Sequence, residues 1–156
     1  MTIATKLKAY LDEHQTQYRI IQHMQTGSSM ETAEIARVPG DRLAKGVILK
    51  DENGVVMVVL PSDYHVDIDV LSTQTGRALA FAEEEAVTAL FPDCKPGAVP
   101  PVGPAYGVET IWDTRLGSED TVYVEAGDHQ TLLEMSGRAF HELMAPAERG
   151  HFSHHI

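Results

Sequence analysis

Leu43-Ala44-Lys45-Gly46-Val47-Ile48-Leu49-Lys50-Asp51-Glu52-Asn53-Gly54-Val55-Val56-Met57-Val58-Val59-Leu60 is the run that decides the fold. Two apolar segments rich in β-branched residues flank a polar quartet ending in Asn53-Gly54. Branched side chains stand well on a pleated surface. Asn-Gly supplies the positive φ values that a tight turn requires. The pattern predicts a β-hairpin, Arg42–Leu49 joined to Val55–Leu60. Alternation along the first strand puts Leu43, Lys45, Val47 and Leu49 on one face. A lysine among apolar neighbours either carries its ammonium to the rim or turns it into a pocket to meet an anion. Gly46 beside it leaves room for another backbone or a ligand.

Working outward, Ile3, Leu7, Tyr10 and Leu11 share a helical face, which predicts a helix over residues 2–14. Tyr18 to His23 reads as a strand. Ser28 and Glu31 have the spacing of a capping box, opening a short helix that stops before Pro39-Gly40. Beyond the hairpin the chain predicts a helix over Asp67–Thr75, whose apolar positions fit a strand almost as well, then a short strand at Leu79–Phe81 and a helix over Glu83–Leu90. Three strands follow, Val108–Trp112, Thr121–Glu125 and Thr131–Met135. Ser136 then caps a last helix reaching about Met144. Helices interspersed with hairpin-like strand pairs predict an α+β fold, with helices packed on one mixed, mostly antiparallel curved sheet. Residues 1–150 read as a single domain and the histidine-rich 151–156 as a flexible tail.

Composition narrows the function. The chain has 156 residues and a net charge of −11, from 12 basic and 23 acidic side chains. A domain of this size buries roughly two-thirds of the surface its unfolded chain exposes. No apolar run has membrane-spanning length, and the N-terminus lacks the apolar core of a signal peptide. A lone cysteine, Cys94, excludes an internal disulfide framework. A cytoplasmic, bacterial-like protein is expected. The negative charge argues against binding along a nucleic-acid duplex, which rests on neutralising phosphates. Contact with one end of an RNA stays open through Arg37, Arg42, Lys45 and Lys50, a segment whose one acid is Asp41.

Chemistry concentrates in Cys94-Lys95-Pro96-Gly97-Ala98-Val99-Pro100-Pro101-Val102-Gly103-Pro104. Four prolines and two glycines exclude a helix or an inner strand. A loop so stiffened either connects two elements rigidly or holds the N–H groups of Gly97, Ala98 and Val99 ready to polarise a carbonyl. His129, in the turn Ala126-Gly127-Asp128-His129, is either a pocket residue or a histidine bonded across its own turn. Cys94 reads as an ordinary loop thiol or as a nucleophile without a histidine near it in sequence. His151, His154 and His155 lack the cysteine or carboxylate that completes a metal ligand set. No Gly-x-Ser-x-Gly elbow, phosphate loop, HExxH or paired CxxC occurs.

These residues together resemble the YbaK-type family of aminoacyl-tRNA deacylases, related to the editing domain inserted in bacterial prolyl-tRNA synthetases. The resemblance runs from about Tyr18 to Met144. Its carriers are Lys45 in its apolar strand, the Gly-x-x-x-Pro spacing of Gly97 to Pro101, and Gly127-Asp128-His129 ahead of the last strand. The family hydrolyses the ester joining a wrong amino acid to the 3′-terminal adenosine of a tRNA. By this resemblance Lys45, Gly97, Ala98, Val99, Pro100 and Pro101 carry catalysis, while Gly46, Gly103, Gly127 and His129 bind substrate. Lys45 would hold the 3′ end, the loop would polarise the ester carbonyl, and His129 would line the amino-acid pocket. Water is then the nucleophile, and neither metal nor cofactor is implied. The partners implied are the tRNA acceptor end and a synthetase, with no DNA and no membrane. Gly46 stands where family members often carry a polar residue, and spacing from Gly97 selects Pro101 as the motif's proline. The alternative expectation is a non-catalytic module of the same fold that binds aminoacyl-tRNA or a synthetase.

Overall fold

A computed structural model describes residues 3–156. Helix α1 (Thr5–Glu13) buries Leu7 and Leu11; it fills most of the helix expected over residues 2–14, of which Thr2 lies outside the described residues. Strand β1 (Arg19–Gln22) precedes α2 (Ser29–Ala36). Ser28 Oγ caps α2 by accepting from the Glu31 N–H at 3.2 Å. Glu31 Oε1 reaches back to the Gly27 N–H at 3.4 Å, one residue earlier than a capping box prescribes. The hairpin is β2 (Ala44–Asp51) with β3 (Gly54–Pro61). Its ladder extends to Asp51↔Gly54, so Glu52-Asn53 is the two-residue turn and Gly54 opens the second strand.

Strand β4 (Tyr64–Val66), which the sequence did not announce, follows the hairpin. Helix α3 (Ile68–Thr75) runs between the Asp67 cap and Gly76. Strand β5 (Ala80–Phe81) and helix α4 (Glu84–Leu90) follow, then β6 (Thr110–Asp113), β7 (Thr121–Glu125) and β8 (Thr131–Ser136). Ser136 Oγ accepts from the Ala139 N–H at 3.0 Å to start α5 (Gly137–Leu143). Two short strands, β9 (Glu148–Gly150) and β10 (Ser153–His155), close the chain.

The class is the expected α+β, mostly antiparallel. The strands divide among three hydrogen-bonded sheets, ordered β5-β2-β3-β6-β9, β1-β8-β7 and β10-β4. Pairing is parallel where β6 meets β3 and β9, and antiparallel elsewhere. Local patterns specify strands one at a time and say nothing of which sheet each joins. Val56 to Leu60 are fully buried, because β3 is central and covered on both faces. On one face Met57, Val59, Ile48 and Trp112 pack with Val122, Val124 and Leu133 of the three-stranded sheet, with Leu7 and Leu11 of α1, and with Phe140 of α5. On the other, Val56, Val58, Leu60 and Leu49 pack with Leu71 of α3 and with Phe152. Burying the latter ring explains why residues 151–156 do not form the flexible tail expected of them. Phe152 is 1% exposed, and β10 pairs with β4 through Ser153↔Val66, His154↔His65 and His155↔Tyr64. Among the described residues, no helix is long and apolar enough to cross a membrane.

Candidate active site

The start of β2, the start of α2, the end of β7 and the proline-rich loop enclose a cavity of about 130 Å³. Lys45, Gly46, Gly97, Val99 and His129 all line it. Three segments far apart in sequence therefore meet, and the reason is visible in the packing of the loop on the sheet. A Cβ on Gly46 would lie 3.4 Å from both Val99 Cγ1 and Pro101 Cα, and 3.2 Å from Met57 Sδ. The bare backbone at that position lets the loop settle on β2. Gly97 has φ +82°, a left-handed conformation that glycine tolerates best. Gly97 and Val99 both line the cavity, and their N–H groups make no hydrogen bond within the described residues. The Ala98 N–H donates to the Lys95 carbonyl at 3.0 Å, closing a turn.

His129 clamps this arrangement. Its backbone has φ +63°, unusual for a residue with a side chain. Its Nε2 donates to the Pro96 carbonyl at 2.7 Å, and its ring lies against Gly97. Because a carbonyl only accepts, that bond places a proton on Nε2. The ring is thus not bonded across its own turn but to the proline-rich loop 33 residues earlier, and the residue also borders the cavity. Lys45 is more divided. The residue lines the cavity, yet its Nζ donates to the Ser62 carbonyl at 3.3 Å. Burial lowers its pKa, opposed by the Asp63 carboxylate nearby. Leu43, which alternation puts on the same side of the chain as Lys45, lines the cavity too.

Several expected site residues are not at the cavity. Ala98, Pro100 and Pro101 are buried behind its wall, where they support the loop. Gly103 packs so tightly on Thr110 that a Cβ would stand 1.8 Å from its Oγ1, so its place is structural. Gly127 is wedged between Ala4 and Cys94, 3.0 and 3.1 Å from where its Cβ would be. The basic patch is also dispersed: Arg42 pairs with Glu119 at 3.1 Å and Lys50 with Glu83. Cys94 is the loop thiol. Burial pushes its pKa up to about 12, and it contacts Asp93 and Tyr106.

The sequence reading passed over other lining residues. Ser28, Ser29 and Thr32 bring hydroxyls from α2, and Leu43 and Leu132 an apolar floor. Glu125 is the carboxylate of the wall. Its Oε2 accepts from three successive N–H groups, Gly127 at 2.8 Å, Asp128 at 3.2 Å and His129 at 3.3 Å. An acid ending a strand just before a Gly-Asp turn is the local signal that could have revealed this. A wider groove adjoins the cavity, sharing Gly27, Gly97 and His129, with Lys95, Gln25 and Thr26 among its other walls. Among the described residues, no group of three or more His, Cys, Asp or Glu is placed to hold a metal ion.

A fold of this kind, with a proline-braced amide loop beside a lysine-bearing strand, belongs to a recognisable class. The chain is a member of the aminoacyl-tRNA editing domain family, whose sequence profile matches residues 23–143. It is 30% identical over 137 residues to the prolyl-tRNA editing protein ProX of Acetoanaerobium sticklandii, covering 82% of each chain. The crystal structure of the hypothetical protein APE2540 superposes with a TM-score of 0.82 at 26% identity, over 96% of this chain and 99% of that one. A candidate trans-editing enzyme for prolyl tRNA synthetase shares the fold with a TM-score of 0.79 at 19% identity, over 97% and 96% of the two chains.

Proposed function

We propose that this editing domain is a deacylase acting in trans, hydrolysing the ester between a mischarged amino acid and the 3′ end of its tRNA. The observation that carries the reading is the pair of unspent amides, Gly97 and Val99, at the wall of a small cavity bordered by Lys45 and His129. Water adds to the ester carbonyl, and the oxyanion that forms accepts from the two N–H groups. The carbon–oxygen bond to ribose then breaks, the ribose oxygen takes the proton that the attacking water gives up, and free amino acid leaves. Fixed donors of this kind are worth about 2.7–4 kcal/mol each in transition-state stabilisation.

The adjoining groove is suited to the terminal nucleotide, with Lys95, which makes no ion pair within the described residues, facing its phosphate. Lys45 would exchange the Ser62 carbonyl for the substrate, and His129 would bound the space open to the amino-acid side chain. An acidic body confines the encounter to the acceptor end, in the cytoplasm, either directly or through a synthetase. The test is amino-acid release from a panel of mischarged tRNAs, including alanyl, seryl, cysteinyl and threonyl esters. Hydrolysis of at least one ester, abolished by Lys45→Ala in a folded protein, is expected. Background rates for every ester, or unchanged rates in Lys45→Ala, would refute the reading or the lysine's role in it. The engagement of the Lys45 ammonium at Ser62 favours one rival, a binding module without catalysis. Tight binding of an aminoacyl-adenosine analogue without turnover would identify it.

A further inference from the structure

Glu125 carries information that the hydrolytic step does not use. It is the carboxylate among the residues lining the cavity, and all three of its hydrogen bonds fall on one oxygen, Oε2. Oε1 has no hydrogen-bond partner within the described residues. The same residue that holds Oε2, His129, fixes the Pro96–Gly97 turn through its ring. One residue therefore sets the position of a carboxylate relative to the unspent amides of the loop. An aminoacyl ester presents a matching pair of groups. Its carbonyl oxygen needs N–H donors, and one carbon away its α-amino group is cationic through much of the neutral range. A charged group entering so small a space is costly to desolvate unless it meets an opposite charge with free acceptor capacity. The cavity's lysine, Lys45, donates to the Ser62 carbonyl and makes no ion pair with Glu125 within the described residues.

We infer that Glu125 is the receptor for the α-ammonium of the aminoacyl group, so that the site selects esters of free amino acids over those whose amine is blocked. This rests on the deacylase reading for the identity of the ligand, but it is tested by binding rather than by turnover. The probes are 3′-alanylamino- and 3′-serylamino-3′-deoxyadenosine, each compared with its N-acetyl form by titration calorimetry at neutral pH. Charge-assisted hydrogen bonds predict a preference of about tenfold or more for the free amine. Glu125→Gln keeps an oxygen for the three backbone donors and removes the charge. That variant should lose most of the preference while binding the N-acetyl forms as the unaltered protein does. A role confined to holding the turn would instead weaken both forms together and leave the ratio unchanged. Equal affinity for free and acetylated probes in the unaltered protein overturns the assignment without recourse to any variant, as does binding of neither. Hydrolysis of mischarged tRNA with equal affinities would retain the deacylase and remove Glu125 as its ammonium receptor. A free-amine preference without hydrolysis would do the reverse.

Discussion

At the scale of single residues, the account turns on backbone groups rather than on reactive side chains. Gly97 lines the cavity with φ +82°, and its N–H makes no hydrogen bond within the described residues. An alanine there meets a left-handed penalty of about 1–2 kcal/mol, which the loop can relieve by turning its amides away. Gly97→Ala should lower kcat/KM on a sensitive tRNA ester by roughly tenfold or more, a factor that corresponds to that energy. Its thermal midpoint should fall by only a few degrees. An unchanged rate would show that the amide's direction does not matter. The stiffness of this loop and the oddity of Lys45 in an apolar strand were legible in the sequence, because both depend on residue type and local spacing. What Ala98 does with its N–H was not legible, since its partner, the Lys95 carbonyl, is selected by how the turn closes. Glu125 was missed for the same reason: its three donors gather only once the Gly127–His129 turn has formed.

At the scale of elements, helices and strands announced themselves wherever a cap or an alternation was local. Ser28, Asp67 and Ser136 all accept from their helices' first-turn N–H groups. The elements that escaped, β4, β9 and β10, are three residues long and hold their places by tertiary contact. The last of them is anchored by Asp113 at the end of β6. Its fully buried carboxylate accepts from the Ser153 hydroxyl at 2.7 Å, the Phe152 N–H at 3.2 Å and the Arg115 N–H at 2.9 Å. Asp113→Ala strands these donors and should cost about 2–3 kcal/mol in chemical denaturation. Hydrogen exchange at residues 153–155 should accelerate in the variant before the rest of the sheet responds. Uniform acceleration across the molecule would deny the anchor its local role.

Taken whole, the molecule is a sheet covered on both faces, with its cavity where β2 meets the helix and loop of the first face. One ion-pair cluster ties its far end together. Arg77 bonds Asp51 at 2.8 Å, beside the hairpin turn, and Glu109 at 3.1 Å, just ahead of β6. The Arg77 guanidinium holds the Asp51 carboxyl down at about 2, and the Asp51 side chain is only 5% exposed. A carboxyl depressed in the folded state stabilises above its unfolded pKa and loses that contribution as pH falls through the folded one. Thermal midpoints should therefore decline between about pH 4, where an ordinary aspartate titrates, and pH 2. Asp51→Asn should flatten that part of the profile; an identical profile would detach the pair from stability. The central claim is that the Gly97 and Val99 amides receive the ester carbonyl. It is tested most directly by backbone nuclear magnetic resonance during titration with 3′-alanylamino-3′-deoxyadenosine, whose amide carbonyl stands in for the ester. The amide protons of Gly97 and Val99 should move downfield at saturation, with that of Ala98, already bonded to Lys95, nearly unmoved. Saturable binding that leaves Gly97 and Val99 unshifted would contradict it.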